Sequence, residues 1–389
     1  MRLVPVLIVA VCLAPATSRA QCGGEFSSFV KSLKAEAMAM GHSAATVDAF
    51  FAPIRQDPKV LRADRAQGVF RKTFIDFSQA VISKNRLDHG RNNARQYADI
   101  FARIEREHGI ARGVLLAFWA LETDYGAVQG DFNTANALVT LAHDCRRPEL
   151  FRPQVLAAIR LFERGDFDPA RTTGAWAGEI GQVQMLPEDI LRNGVDGDGD
   201  GHVQLKASAA DALMSGAKML RGLGWRAGEP WLQEVTLPAD LDWSLTGLNH
   251  ELPVSDWAGR GVRARTGELA RGLKGSILLP MGRKGPAFIA YPNFRVYFEW
   301  NKSFVYVTTA AYFATRLEGA PVYDPGNPDP GLGDSDMKAL QSKLAARGHD
   351  VGKIDGILGE KTREAVQKEQ MRLGLPADAW PTRDLLDRL

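Results

Sequence analysis

Apolar residues return at helical spacing through the first half of the chain. Phe26, Phe29, Val30 and Leu33 form one such face, and Tyr97, Ile100, Phe101 and Ile104 form another. Val155 to Phe162 is a further amphipathic segment. The pattern predicts a mainly helical region from Phe26 to about Leu220. Between Trp225 and Phe294 the period shortens. Runs beginning at Glu234, Ser276 and Ala287 stand between Gly, Pro and Asp, as short strands do. Phe304 to Leu317 returns to a helical pattern. The expected fold is mainly α (α+β overall), a large helical domain with a small β-containing insertion before its last helix.

The two ends divide the chain further. Residues 324–334 are so rich in Pro, Gly and Asp that neither helix nor strand can propagate, and they read as a linker. Residues 335–389 have a helical periodicity of their own. At the other end, Arg2 precedes an apolar stretch from Leu3 to Ala14, and Ser18 and Ala20 place small residues before a cut at Gln21. Residues 1–20 therefore read as an export signal, too short to span a bilayer. Nothing else reaches transmembrane length, and residues 21–323 form the main domain.

Composition narrows the function. The 389 residues carry 48 Lys+Arg against 46 Asp+Glu, a net charge of +2, which gives no basic excess for nucleic acid. Three cysteines exclude a disulfide scaffold. Cys12 leaves with the signal, so Cys22 and Cys145 remain as an even pair bound for an oxidising compartment, and a disulfide between them is expected.

Two local patterns carry chemistry. Val114 to Leu121 has no polar side chain and should be a buried helix, and Glu122 follows at once. A carboxyl there is partly desolvated, which raises its pKa and suits it to protonate a glycosidic oxygen. Further on, Asp196, Asp198 and Asp200 alternate with glycine. They occupy positions 1, 3 and 5 of a calcium loop, with Gly201 at the sharp turn and the carbonyl of His202 at position 7. Ala207 stands where the closing Glu is usual, so Asp211 is the expected closing ligand over a loop of residues 196–211. The His202 imidazole is not expected to bind a hard cation. A calcium held here would be structural, since the loop has no companion hand.

The surroundings of Glu122 resemble the lytic murein transglycosylase B family, glycoside hydrolase family 103. Leu121-Glu-Thr-Asp-Tyr-Gly is similar to its glutamate motif. Gly178, Gly181, Gln184 and Pro187 match its glycine-rich second motif, and Trp300, Asn301 and Tyr306 match its aromatic-Asn-Tyr segment. The resemblance implies a lysozyme-like catalytic domain, Glu122 as the catalytic acid, and substrate contacts from Tyr125, Gln184, Trp300, Asn301 and Tyr306. Ala175, Glu179, Glu188 and Met219 depart from the family pattern. Residues 335–389 resemble the type 1 peptidoglycan-binding domain, a three-helix module, at Leu340, Gln341, Leu344, Gly348, Asp355, Gly356 and Gly359 among others.

The implied protein is an exported, periplasmic enzyme of a Gram-negative bacterium with peptidoglycan strands as its partner. It would cleave the MurNAc–GlcNAc β-1,4 bond without water, leaving 1,6-anhydromuramoyl ends. A hydrolysing muramidase and a non-catalytic wall-binding scaffold are the alternatives. Asp124, two positions from Glu122, should point to another helix face, which favours a single acid.

Overall fold

The computed structural model describes residues 23–66 and 72–389. The export signal of residues 1–20 and Cys22 lie outside the described residues. Six helices come first: α1 (Phe26–Ala39), α2 (Ala44–Phe51), α3 (Pro58–Arg65), α4 (Phe74–Val81), α5 (Lys84–Gln96) and α6 (Ala98–His108). Side-chain caps start most of them. Ser43, Asp57, Thr73 and Ser83 each accept a backbone N–H from the first turn they precede. The apolar run becomes α7 (Arg112–Thr123), with Gly113 to Ala120 buried on every side.

Beyond α7, strand β1 (Phe132–Asn133) leads into α8 (Thr134–His143) and α9 (Pro148–Glu163). Strand β2 (Thr173–Gly174) pairs antiparallel with β1, and α10 (Pro187–Asn193) and α11 (Ala209–Gly222) follow. The predicted insertion is a five-stranded antiparallel sheet. It contains β3 (Leu232–Thr236), β4 (Leu252–Pro253), β5 (Arg263–Ala264), β6 (Lys274–Leu278) and β7 (Phe288–Ala290), in the order β4-β6-β7-β3-β5. A short helix, α12 (Val254–Gly259), closes one side of it. The main domain ends with α13 (Phe294–Trp300) and α14 (Phe304–Leu317).

Helices α7 and α14 form the central pair. A Cβ placed on Gly113 would sit 2.6 Å from the carbonyl of Ala314, so only glycine permits this approach. Glu318, just past α14, accepts the Gly113 N–H at 2.6 Å and caps a helix whose own N-cap, Ala111, offers no side-chain bond. Glu122 lies nine residues beyond Gly113, and Tyr306 lies eight residues before Ala314. At 1.5 Å per residue these spans are similar, at about 12–14 Å. The antiparallel pair therefore brings Glu122 and Tyr306 together at its other end.

Among the described residues three apolar cores fill the main domain, the smallest lying between the sheet and α12 around Trp257 and Ile277. Of the two larger, one gathers α7, α14 and the inner residues of the sheet; the other gathers α1, α2, α8, α9 and the segment from Ala177 to Met185. Trp300 packs against both.

The C-terminal module contains α15 (Asp334–Ala346), α16 (Glu360–Arg372) and α17 (Arg383–Arg388). It has its own small core, yet Leu358 and Trp380 pack with the large one. The predicted linker has no helix or strand before Asp334, but it is held along its length. Asn327 donates to the Lys284 carbonyl at 2.8 Å, Lys284 pairs with Asp329 at 2.7 Å, and Trp380 donates to the Asp329 carbonyl at 2.8 Å.

Candidate active site

Glu122 stands in the last turn of α7. Asp124 then adopts a left-handed conformation, as do Tyr125 and Gly126, and the chain leaves the helix there. Termination thus comes at Asp124, two residues before Gly126. Thr123 fastens this turn to the glycine-rich loop, donating to the Gln182 carbonyl at 2.7 Å and accepting from Gly126 N–H at 2.9 Å.

Glu122 is partly buried. Tyr306 Oη donates to its Oε1 at 2.5 Å, and Trp300 Nε1 donates to the same oxygen at 3.0 Å. Trp300 is fixed in turn by stacking on Phe118, with ring centroids 4.3 Å apart. Burial raises the Glu122 pKa above the usual carboxylate range. The Tyr306 and Trp300 bonds pull it back in part, and the nearby Glu179 carboxyl pushes it up again. Glu179 is itself raised by burial. Tyr306 is buried and its pKa is driven far up, first by burial and then by Glu122, so it stays a phenol and a donor.

The other expected contacts lie around this centre in different ways. Asn301 turns inward on the chain, accepting the Ser303 N–H at 2.9 Å and shaping the start of α14. Gln184, at φ 54°, donates to the Gly181 carbonyl at 2.7 Å, so it braces its own loop. The Tyr125 hydroxyl donates to the Arg86 carbonyl at 2.8 Å, and Asp124 pairs with Arg86 at 2.9 Å. Both residues are thereby tied to α5. Of the departures, Glu188 exchanges two bonds with Gln154 and serves the α9–α10 contact, while Met219 packs against the second core. Sequence reasoning gave Glu179 no part in the acid's environment; its only signal was a charge at a place where the motif is usually uncharged.

A groove of about 950 Å³ lies between the main domain and the C-terminal module; Glu122, Trp300 and Tyr306 are not among the residues that line it. Trp176 of the glycine-rich loop, Lys302 and Ser303 after Trp300, and Lys353, Asp355 and Lys361 of the module all line it.

In the aspartate loop, carboxylate oxygens of Asp196, Asp198 and Asp211 lie within 4.8 Å of one another. Asp211 is fully buried and accepts the N–H groups of Gly197 at 2.8 Å and Gln204 at 2.7 Å. Asp200 is not in that trio; its Oδ1 accepts the His202 N–H at 2.8 Å. The His202 ring bonds Asp166 at 3.0 Å. Three hard oxygen donors brought this close suit calcium rather than a softer metal.

Cys145 is disulfide-bonded. Nearby, His143 Nε2 bonds the Gly24 carbonyl at 3.1 Å, so the chain next to Cys22 lies against the end of α8.

Residues 25–315 match the transglycosylase SLT domain family, and residues 333–389 match a peptidoglycan binding domain family. The membrane-bound lytic murein transglycosylase B of Escherichia coli is 27% identical over 157 residues, 40% of this chain and 43% of that protein. The chain thus aligns with less than half of that curated relative. The crystal structure of SltB3 from Pseudomonas aeruginosa, in complex with NAG-anhNAM-pentapeptide, is 37% identical. It superposes with a TM-score of 0.85 over 94% of this chain and 99% of that one. The lytic transglycosylase SLT35 of Escherichia coli, in complex with calcium, shares the fold at a TM-score of 0.65 and 22% identity, over 79% of this chain and 98% of that one.

Proposed function

The chain belongs to the transglycosylase SLT domain family, and we infer from that membership that it is a peptidoglycan lytic transglycosylase with Glu122 as its single acid. The observation that carries the reading is the environment of Glu122. Its carboxyl is desolvated, raised in pKa, and bonded by Tyr306 and Trp300 on one oxygen only.

The reaction follows from that asymmetry. Oε1 accepts two hydrogen bonds, so the proton belongs on Oε2. Oε2–H gives its proton to the bridging oxygen as the bond from MurNAc C1 to that oxygen breaks, and GlcNAc leaves with a free 4-hydroxyl. The Glu122 carboxylate, steadied by its two donors, faces the positive charge at C1. It then takes the proton of the muramyl C6 hydroxyl as that oxygen bonds to C1. The acid is restored, no water is consumed, and a 1,6-anhydro end forms. Asp124 is tied to Arg86, and Glu179 bears on the acid through its charge, raising its pKa. Neither is set up as the second carboxylate that hydrolysis normally needs.

The substrate is a peptidoglycan strand. SltB3, so similar over nearly its whole length, is known in complex with a NAG-anhNAM-pentapeptide. The groove between Trp176 and the lysines of the module offers a path for a strand between the two parts of the chain. Asn301, Gln184 and Tyr125 serve the site by bracing its backbone, and Trp300 and Tyr306 by holding the acid. Calcium in the aspartate loop would be held by Asp196, Asp198 and Asp211, with Asp200 and the carbonyl of His202 completing the set. It would supply positive charge that lets the carboxylates crowd together. Export to the periplasm, processing near Gln21 and a Cys22–Cys145 bond complete the reading.

Digestion of purified sacculi followed by mass analysis tests it. Anhydro ends, lighter by one water than reducing ends, are expected. Glu122→Gln should fold, bind sacculi and lose about a thousandfold in turnover. Reducing ends from the wild type, or retained turnover in the variant, would refute the assignment.

A further inference from the structure

We propose that Arg363, in the C-terminal module, is a positioning residue for the reaction: through Phe304 it fixes the start of α14 and so keeps the Tyr306 hydroxyl on Glu122. The inference rests on the acid role given to Glu122 above.

A wall-binding module carried as a passenger would keep its arginines in water. Arg363 is 6% exposed. Its Nη1 and Nη2 donate to the carbonyls of Leu279 at 3.3 Å and Pro280 at 2.8 Å, just after β6. Its guanidinium lies 4.4 Å from the ring centre of Phe304 and 5.9 Å from that of Trp380. A cation over an aromatic face is attracted to it, and more strongly when desolvated. One side chain therefore joins the module, the β insertion and the first residue of α14.

That first residue matters because helix starts are weakly held. Their first N–H groups have no partner within the helix. In α14 Ser303 caps Tyr306 N–H at 3.3 Å, and packing must do the rest. Part of the packing comes from the main domain, where Phe304 meets the Phe298 ring at 6.4 Å, and part from the module. Val305 shares its surroundings with Leu358 and Gly356, and Phe304 is pressed by Arg363. Tyr306 is two residues from Phe304, and its hydroxyl makes the 2.5 Å bond to Glu122. Small displacements at such a bond are costly to rate.

A purely adhesive Arg363 and a positioning one differ in the pH profile. The titratable groups facing Glu122 are Tyr306 from α14 and Glu179 from the glycine-rich loop, and both are unchanged in Arg363→Met. The full-length wild type and variant are assayed on soluble glycan fragments across pH. In the variant we expect kcat about tenfold lower with KM within about twofold. The high-pH limb of kcat should also move upward, because a loosened Tyr306 no longer favours the Glu122 anion. Tyr306→Phe should move that limb the same way, and adding Arg363→Met to it should move it no further. Phe304→Leu breaks the contact from the other side and serves if Arg363→Met does not fold. An unmoved limb and kcat in a folded variant, or a shift that adds to that of Tyr306→Phe, overturns the inference. A wild type that releases no anhydro product overturns the activity itself, and is read before any variant.

Discussion

At Glu122 the two oxygens of one carboxyl are set apart: Oε1 accepts from Tyr306 and Trp300, and the proposed reaction gives the proton to Oε2. Holding costs something, since donors to a carboxyl favour its anion and so weaken it as an acid. Burial and Glu179 act against that pull. Neutralising Glu179 removes an upward push, so Glu122 loses its proton at lower pH. Glu179→Gln should move the high-pH limb of kcat downward, opposite to Tyr306→Phe, as a rate–pH profile would record. The position of Glu122 was legible because a carboxyl follows eight apolar residues, and its proposed role came from the resemblance of the motif around it. The use made of its neighbours was not. Asn301, Gln184 and Tyr125 sit in the motifs as expected, but each spends its side-chain bond on backbone, and no spacing rule separates bracing from contact.

Among the elements, the pair α7–α14 decides the geometry. α7 was readable as an unbroken apolar run and α14 from its period, and α14 has the predicted limits. Their antiparallel contact depends on Gly113, which in sequence is only a glycine near a helix start. Gly113→Ala would push a methyl group to 2.6 Å from the Ala314 carbonyl and crowd Glu318. A loss of about 1–3 kcal/mol is expected, read as a lower denaturant midpoint. Activity should fall with it, because the shift is carried along two straight rods to Glu122 and Tyr306. The sheet was legible as short apolar runs, but its strand order depends on pairings distant in sequence, which local pattern does not encode.

At the scale of the molecule, composition and turn residues gave the division into parts but not how the parts meet. The segment of residues 324–334 reads as a spacer, and in the fold it is bonded to the main domain. Trp380 and Leu358 share the large core, so catalytic domain and module should melt in one calorimetric transition rather than two. Calcium should raise that transition and a chelator lower it, while Asp211→Asn should abolish the difference. A module on a loose tether would explore a volume and cut wherever the other half happened to reach. Under the proposed activity, gripping surface and cutting edge are parts of one solid tool, like the jaw and blade of a pruning shear. Each bite would then fall at a set offset from the place where the wall is seized.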